Sequence, residues 1–129
     1  MQSPHPRGAV SPSLEDYLEA ILMLQEQHGA VRSVDVAEHL GFSKPSVSIA
    51  MRRLVDQGHV AFQEDSTLVL TPSGRQIAAA VYERHRVLTG MLISMGVAPA
   101  VAEEDACRIE HVISPETFQR LKDRFPVQE

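Results

Sequence analysis

The stretch SVDVAEHLGFSKPSVSIAMRRLVDQ, Ser33 to Gln57, decides the fold. Ser33 is placed to cap a short helix over Val34 to Leu40, in which Val36, Ala37 and Leu40 are apolar. Gly41 supplies a turn. Ser43 then caps a second helix with Pro45 in its first turn, where the missing N–H costs nothing. Val47, Ala50, Met51, Leu54 and Val55 recur at helical spacing and predict a buried stripe. Ser43, Lys44, Ser46, Ser48, Arg52 and Arg53 fall off that stripe. Helix, glycine turn and a second helix with a small, polar and basic outer face is the helix-turn-helix arrangement, whose second helix enters the DNA major groove by its N-terminal end. Its candidate DNA contacts are therefore Ser43, Pro45 and Ser46 in the groove and Arg52 and Arg53 on phosphates, with Ser33, Lys44 and Ser48 beside them.

The flanks extend this reading. Gly58 ends the second helix, and His59 to Phe62 and Thr67 to Leu70 are β-prone runs around the turn Gln63 to Ser66. A two-stranded hairpin directly after a helix-turn-helix is a wing. Upstream, Ser13 and Asp16 form a capping-box variant that opens a helix to about Gln27, closed by Gly29. Leu14, Leu18, Ile21, Leu22 and Gln25 share one face of it, and Asp16, Glu19 and Met23 the opposite one. Residues 1–12, with three prolines and no apolar periodicity, read as a disordered tail. Residues 13–71 form a winged-helix domain.

Downstream, Thr71-Pro72 opens a long helix through Val81 to His85, and Val87 to Met95 reads as a separate apolar helix ended by Gly96. Pro99 to Ile113 and the segment opened by Ser114-Pro115 complete a helical domain over 72–129, with more apolar surface than it can bury alone, the mark of a dimer interface. The fold class is thus mainly α: an N-terminal winged helix-turn-helix domain with a two-stranded wing, then an all-helical dimerisation and metal-binding domain.

The chemistry concentrates in CRIEH, Cys107 to His111. On a continuous helix Cys107, Glu110 and His111 rise on one face. Thiolate, carboxylate and imidazole together suit a late first-row divalent ion better than calcium or magnesium. The bland alternative is a buried cysteine beside a solvated Glu-His pair. Asp16 and Glu19 are either a wet helix face or carboxylates aimed at the same site. Cys107 with His111 also resembles a nucleophile and base, but i,i+4 side chains run parallel, with no third group to orient them. The chain is not read as an enzyme.

Composition sets outer bounds. One cysteine in 129 residues forms no internal disulfide and fits a reducing cytoplasm. The start lacks a signal peptide's apolar core and no run reaches membrane-spanning length, so no membrane partner is expected. A net charge of −5 argues against indiscriminate nucleic-acid binding. The charges are segregated, however. Phe42 to Val55 holds three basic residues and no acid, and Glu103 to Asp105 is wholly acidic.

Across its full length the chain resembles the DtxR/MntR family of metal-dependent transcriptional repressors. The resemblance is carried by LEDYLE (Leu14 to Glu19), SKPSVS (Ser43 to Ser48), ERH (Glu83 to His85) and DACRIEHVIS (Asp105 to Ser114). It implies a homodimer that binds Mn(II) or Fe(II), with Co(II) or Zn(II) as in-vitro substitutes, then binds a palindromic operator and represses metal-uptake genes. By the same resemblance Asp16 matches the first-helix ligand of the manganese branch, Glu19 and His85 match ligands of that branch's second metal, and Glu110 and His111 match ligands of both branches. Cys107 departs from the manganese branch, which has a bridging glutamate there, and follows the iron branch. Thr89 stands where the iron branch keeps an ancillary glutamate. Glu103 or Glu104 is a candidate replacement oxygen donor. The early end of the chain, without the iron branch's SH3-like domain, points to the manganese-branch architecture. A winged-helix regulator sensing an organic ligand or redox state through Cys107 is the competing expectation.

Overall fold

The computed structural model describes residues 12–126; the tail expected over 1–12 lies, but for Pro12, outside them. Among the described residues the order is α1 (Pro12–His28), α2 (Ser33–Leu40), α3 (Lys44–Asp56), β1 (Val60–Phe62), β2 (Leu68–Leu70), α4 (Pro72–Ser94), α5 (Pro99–Ile109) and α6 (Pro115–Arg124). Two compact units divide between Ala79 and Ala80, inside α4. No helix is long and apolar enough to cross a membrane.

In the first unit α1, α2 and α3 pack on one another, and the antiparallel β1–β2 ladder pairs Val60 with Leu70 and Phe62 with Leu68. Val31 adds a single bridge to Leu68, with Leu68 N–H donating to the Val31 carbonyl at 2.7 Å. Leu18, Ile21, Val36, Val47, Met51 and Leu54 are fully buried. The predicted stripe of α3 therefore holds at four positions. Val55 is the exception: it is exposed, because it comes one residue after Leu54 and falls outside the buried arc.

Caps account for the boundaries. The Ser43 side chain accepts from Ser46 N–H at 3.3 Å, as expected of the N-cap of α3. Ser33 does not cap α2. It is the first helical residue, and the Asp35 carboxylate accepts Arg32 N–H at 2.9 Å instead. Ser13 likewise lies inside the first turn of α1 rather than ahead of it. The strands are each one residue shorter than expected, because His59 and Thr67 are taken up in the flanking turns. Gly74, at the start of α4, has no room for a side chain: a Cβ there would overlap the backbone carbonyl of His59.

In the second unit the expected break near His85 is absent, and α4 is one helix of 23 residues. Nothing between Pro72 and Pro99 removes a backbone donor, and Gly90 alone is too weak a breaker to end a helix. Conversely α5 stops at Ile109 rather than Ile113. Ser114 precedes a proline, which disfavours helical backbone, and it caps α6 by accepting from Thr117 N–H at 3.1 Å. The four residues between α5 and that cap form a turn, with Val112 N–H donating to the Ile109 carbonyl at 3.0 Å.

Candidate metal centre and DNA-reading face

The donor cluster of the second unit is built on that turn. Glu110 is the C-cap of α5, with 0% of its surface exposed, and His111 follows it at 6%. From α4, His85 brings Nδ1 to 2.8 Å from Glu110 Oε1, while Glu110 Oε2 lies 3.6 Å from His111 Nε2. One buried carboxylate is thus flanked by two imidazoles. A buried carboxyl group is costly unless hydrogen bonds, an ion pair or a metal satisfy its oxygens. The outer nitrogen of His85, Nε2, lies 3.5 Å from Glu103 Oε1, so Glu103 reaches the cluster from α5. Glu104 turns away and, with Asp105, pairs with exposed Arg108 at 3.5 and 3.1 Å.

The bland sequence alternative is inverted. Cys107 is the exposed residue, and the Glu-His pair is buried. Helix α5 buries Ala102 and Ala106, which leaves Cys107 pointing outward. The helix then ends before Glu110 and His111, so the three do not share one continuous helical face. Among the described residues, no cluster of close donors includes Cys107.

In the first unit Asp16 and Glu19 sit on α1. Their face is not the wet one that a two-sided helix would have. Glu19 is buried, Asp16 is half-buried, and Glu15, to which the sequence assigned nothing, is completely buried. Burial, reinforced by the neighbouring Asp16 carboxylate, pushes the Tyr17 phenol above its ordinary range. The Tyr17 ring packs on Phe42 in the α2–α3 turn, with centroids 5.7 Å apart. The helix that bears Asp16 and Glu19 is thereby in contact with the turn that sets the angle of α3.

The outer face of α3 carries Lys44, Pro45, Ser46, Ser48, Arg52 and Arg53, all exposed, with Ser43 at its cap and half-buried Ser33 at the start of α2. Ile49 joins them at 58% exposure, an apolar side chain in a polar row that the stripe analysis passed over. A further residue the sequence reading missed is Arg84, buried at 5%. Its signal was present: Val81, Arg84 and Leu88 follow helical spacing, so an arginine occupies an apolar stripe.

A helix-turn-helix with a wing, followed by helices that gather a buried histidine–carboxylate cluster, defines the class of DNA-binding regulators with a candidate metal site. Two family models match: the iron dependent repressor N-terminal DNA binding domain over residues 9–68, and the iron dependent repressor metal binding and dimerisation domain over residues 71–125. The chain belongs to the iron-dependent repressor family, whose members are transcriptional repressors and not enzymes. It is 36% identical to the transcriptional regulator MntR of Salmonella typhimurium over 105 residues, 81% of this chain and 67% of that protein. With the HTH-type transcriptional regulator MntR of Listeria monocytogenes it shares 34% identity over 113 residues, 88% of this chain and 80% of the relative. A manganese-dependent transcriptional repressor solved in complex with manganese superposes with a TM-score of 0.79 at 31% identity, covering 87% of this chain. This chain spans 52% of the length of that solved structure.

Proposed function

We propose that this chain is a cytoplasmic, metal-activated repressor of metal-uptake genes. It acts as a homodimer that binds palindromic operator DNA once Mn(II) or Fe(II) is bound. The ligands in this reading are Asp16, Glu19, His85, Cys107, Glu110 and His111, with Glu103 as a further oxygen donor. The observation that carries it is the dry Glu110 carboxylate between the His85 and His111 imidazoles. Carboxylate oxygens with imidazole nitrogens suit Mn(II) and Fe(II), and thiolate from Cys107 would move the preference toward Fe(II), Co(II) or Zn(II).

A bound divalent ion would supply positive charge that offsets the carboxylates. The protein's own residues do the rest. Asp16 and Glu19 commit α1, and α1 grips the helix-turn-helix through Tyr17 and Phe42. Ile93, Met95, Val101 and Val112 leave apolar surface exposed on the second unit, which a second copy would cover. Two α3 helices held about one DNA turn apart, roughly 34 Å, then match the two halves of a palindrome. Metal and operator binding are reciprocally coupled in such a device.

The test is operator-binding anisotropy under anaerobic conditions, first with chelator and then with Mn(II) or Fe(II), on DNA upstream of a metal-transport gene. Binding that appears only with metal is the expected result; equal binding in chelator defeats the reading. The exposed Cys107 thiol favours one alternative, a redox-responsive regulator. Operator binding that follows thiol oxidation and ignores metal would select it.

A further inference from the structure

We infer that Arg84 is a positioning residue for the metal ligands Glu110 and His111; the inference rests on the metal-centre reading above. Arg84 lies next to His85 on α4, with its side chain almost wholly buried. One guanidinium nitrogen, Nη1, donates to the Glu110 carbonyl at 3.3 Å and to the Ile113 carbonyl at 2.9 Å. The guanidinium carbon stands 5.1 Å from the centroid of the Phe118 ring, on α6.

The Glu110 carbonyl is at the C-cap of α5, where carbonyls lack intrahelical donors, and the Ile113 carbonyl lies at the far end of the turn that follows. Arg84 thus closes the end of α5 and spans the four-residue turn in which Glu110 and His111 reside. Two side-chain donors of the cluster owe their backbone position to one guanidinium, and that group is carried by the helix that supplies the third donor, His85. Phe118 supports the guanidinium from its face, so α6 reaches the cluster through Arg84 without contributing a ligand. Holding a buried cation is expensive unless its donors are used, which gives the position a strict requirement. Lysine keeps the charge but is a compact point donor without the planar fork and stacking face.

The experiment uses the full chain, the Arg84→Lys and Arg84→Met variants, and Lys122→Gln as control. The control removes the partly exposed Lys122–Glu83 ion pair (2.7 Å), also between α4 and α6, without touching the turn. Co(II) and Mn(II) affinities are measured by competition with a chromophoric chelator, together with the Co(II) absorption spectrum and the thermal midpoint with and without metal. Outer ligand supports are worth about 10–100-fold in metal affinity. Both Arg84 variants should weaken binding on that scale, alter the Co(II) spectrum and shrink the metal-induced rise in midpoint, with the control unchanged. Arg84→Lys preserves charge and most of the volume, so it carries the test where Arg84→Met fails to fold. A purely architectural arginine would lower the midpoints with and without metal equally, leaving affinity and spectrum as in the wild type; that result overturns the inference. A wild-type chain that takes up neither ion overturns the metal reading itself and the inference with it.

Discussion

His85 Nδ1 lies 2.8 Å from Glu110 Oε1, although 25 residues and a helix boundary separate the two. The contact pairs a donor from the middle of α4 with one at the very end of α5. Because Glu110 also faces His111, its carboxylate is the shared element of the cluster. Glu110→Gln keeps the shape but removes the negative charge and one acceptor oxygen. It should abolish metal-stimulated operator binding, and Asp16→Ala and His111→Ala should do the same while the dimer persists on size exclusion. Any of these variants responding to metal as the wild type does would remove that residue from the ligand set.

Cys107 gives the sharpest test of metal preference. As an exposed thiol it should react readily with iodoacetamide in the metal-free protein. As a ligand it should be protected by Co(II) or Fe(II), and Cys107→Ser should shift relative affinity toward Mn(II), since the softer donor is gone. An alkylation rate that metal does not change would mean that the exposed orientation persists in the loaded protein and that oxygen and nitrogen donors suffice.

Much of this architecture was legible because the relevant signals are local. Ser43, Pro45 and the Val47–Met51–Leu54 stripe specify α3 through capping and periodicity alone, and the wing follows from two short apolar runs around a polar turn. The site was only half legible. Donor identity is visible in Cys107, Glu110 and His111, but Cys107 is turned outward by the burial of Ala102 and Ala106. Glu110 and His111 lie past the end of α5, in a turn closed by Ser114-Pro115 and bonded by Arg84. Burial of a charged side chain is a tertiary fact, and a hydropathy pattern assigns Glu15 to solvent, whereas Arg84 carries a signal only through its place between Val81 and Leu88.

Arg52 is exposed on the face of α3 that carries the other candidate DNA contacts, and it is assigned to a phosphate. Phosphate contacts position without reading bases. Arg52→Gln should therefore weaken binding by a similar factor on operator and on scrambled DNA. It should also reduce the slope of log affinity against log salt by about 0.9, one released counterion. A loss confined to operator DNA would instead assign Arg52 to a base edge.

The junction between the wing and α4 depends on Gly74. Its missing side chain lets the helix start beside His59, whose carbonyl accepts Thr71 N–H at 3.1 Å while Thr71 Oγ1 accepts Gly74 N–H at 3.2 Å. A methyl group would meet backbone there, which cannot swing aside as a side chain can. Gly74→Ala should destabilise the protein by about 1–3 kcal/mol, the usual cost of overpacking. Urea unfolding should show a lower midpoint with an unchanged slope, and metal affinity should stay at the wild-type value. A wild-type midpoint would show that the helix start can shift without cost.

At the tip of the wing, the Thr67 hydroxyl lies 2.6 Å from Asp65 Oδ1, and Thr67 N–H donates to the same oxygen at 3.1 Å. Hydrogen bonds from the Thr67 side chain and then from its backbone hold the Asp65 carboxyl below the ordinary carboxylate range. A lowered folded-state pKa means that the turn's contribution is fully present above the unfolded value, about 3.9, and is lost as pH falls through the folded one. The group is exposed, so the effect belongs to the wing's local order rather than to global stability. Thr67→Val removes the hydroxyl at nearly constant shape. By carboxyl NMR titration the Asp65 pKa should then move up toward its ordinary value, though not all the way, because the Thr67 backbone donor remains. An unmoved titration would show that the hydroxyl bond does not form in solution and that the backbone donor alone sets the Asp65 pKa.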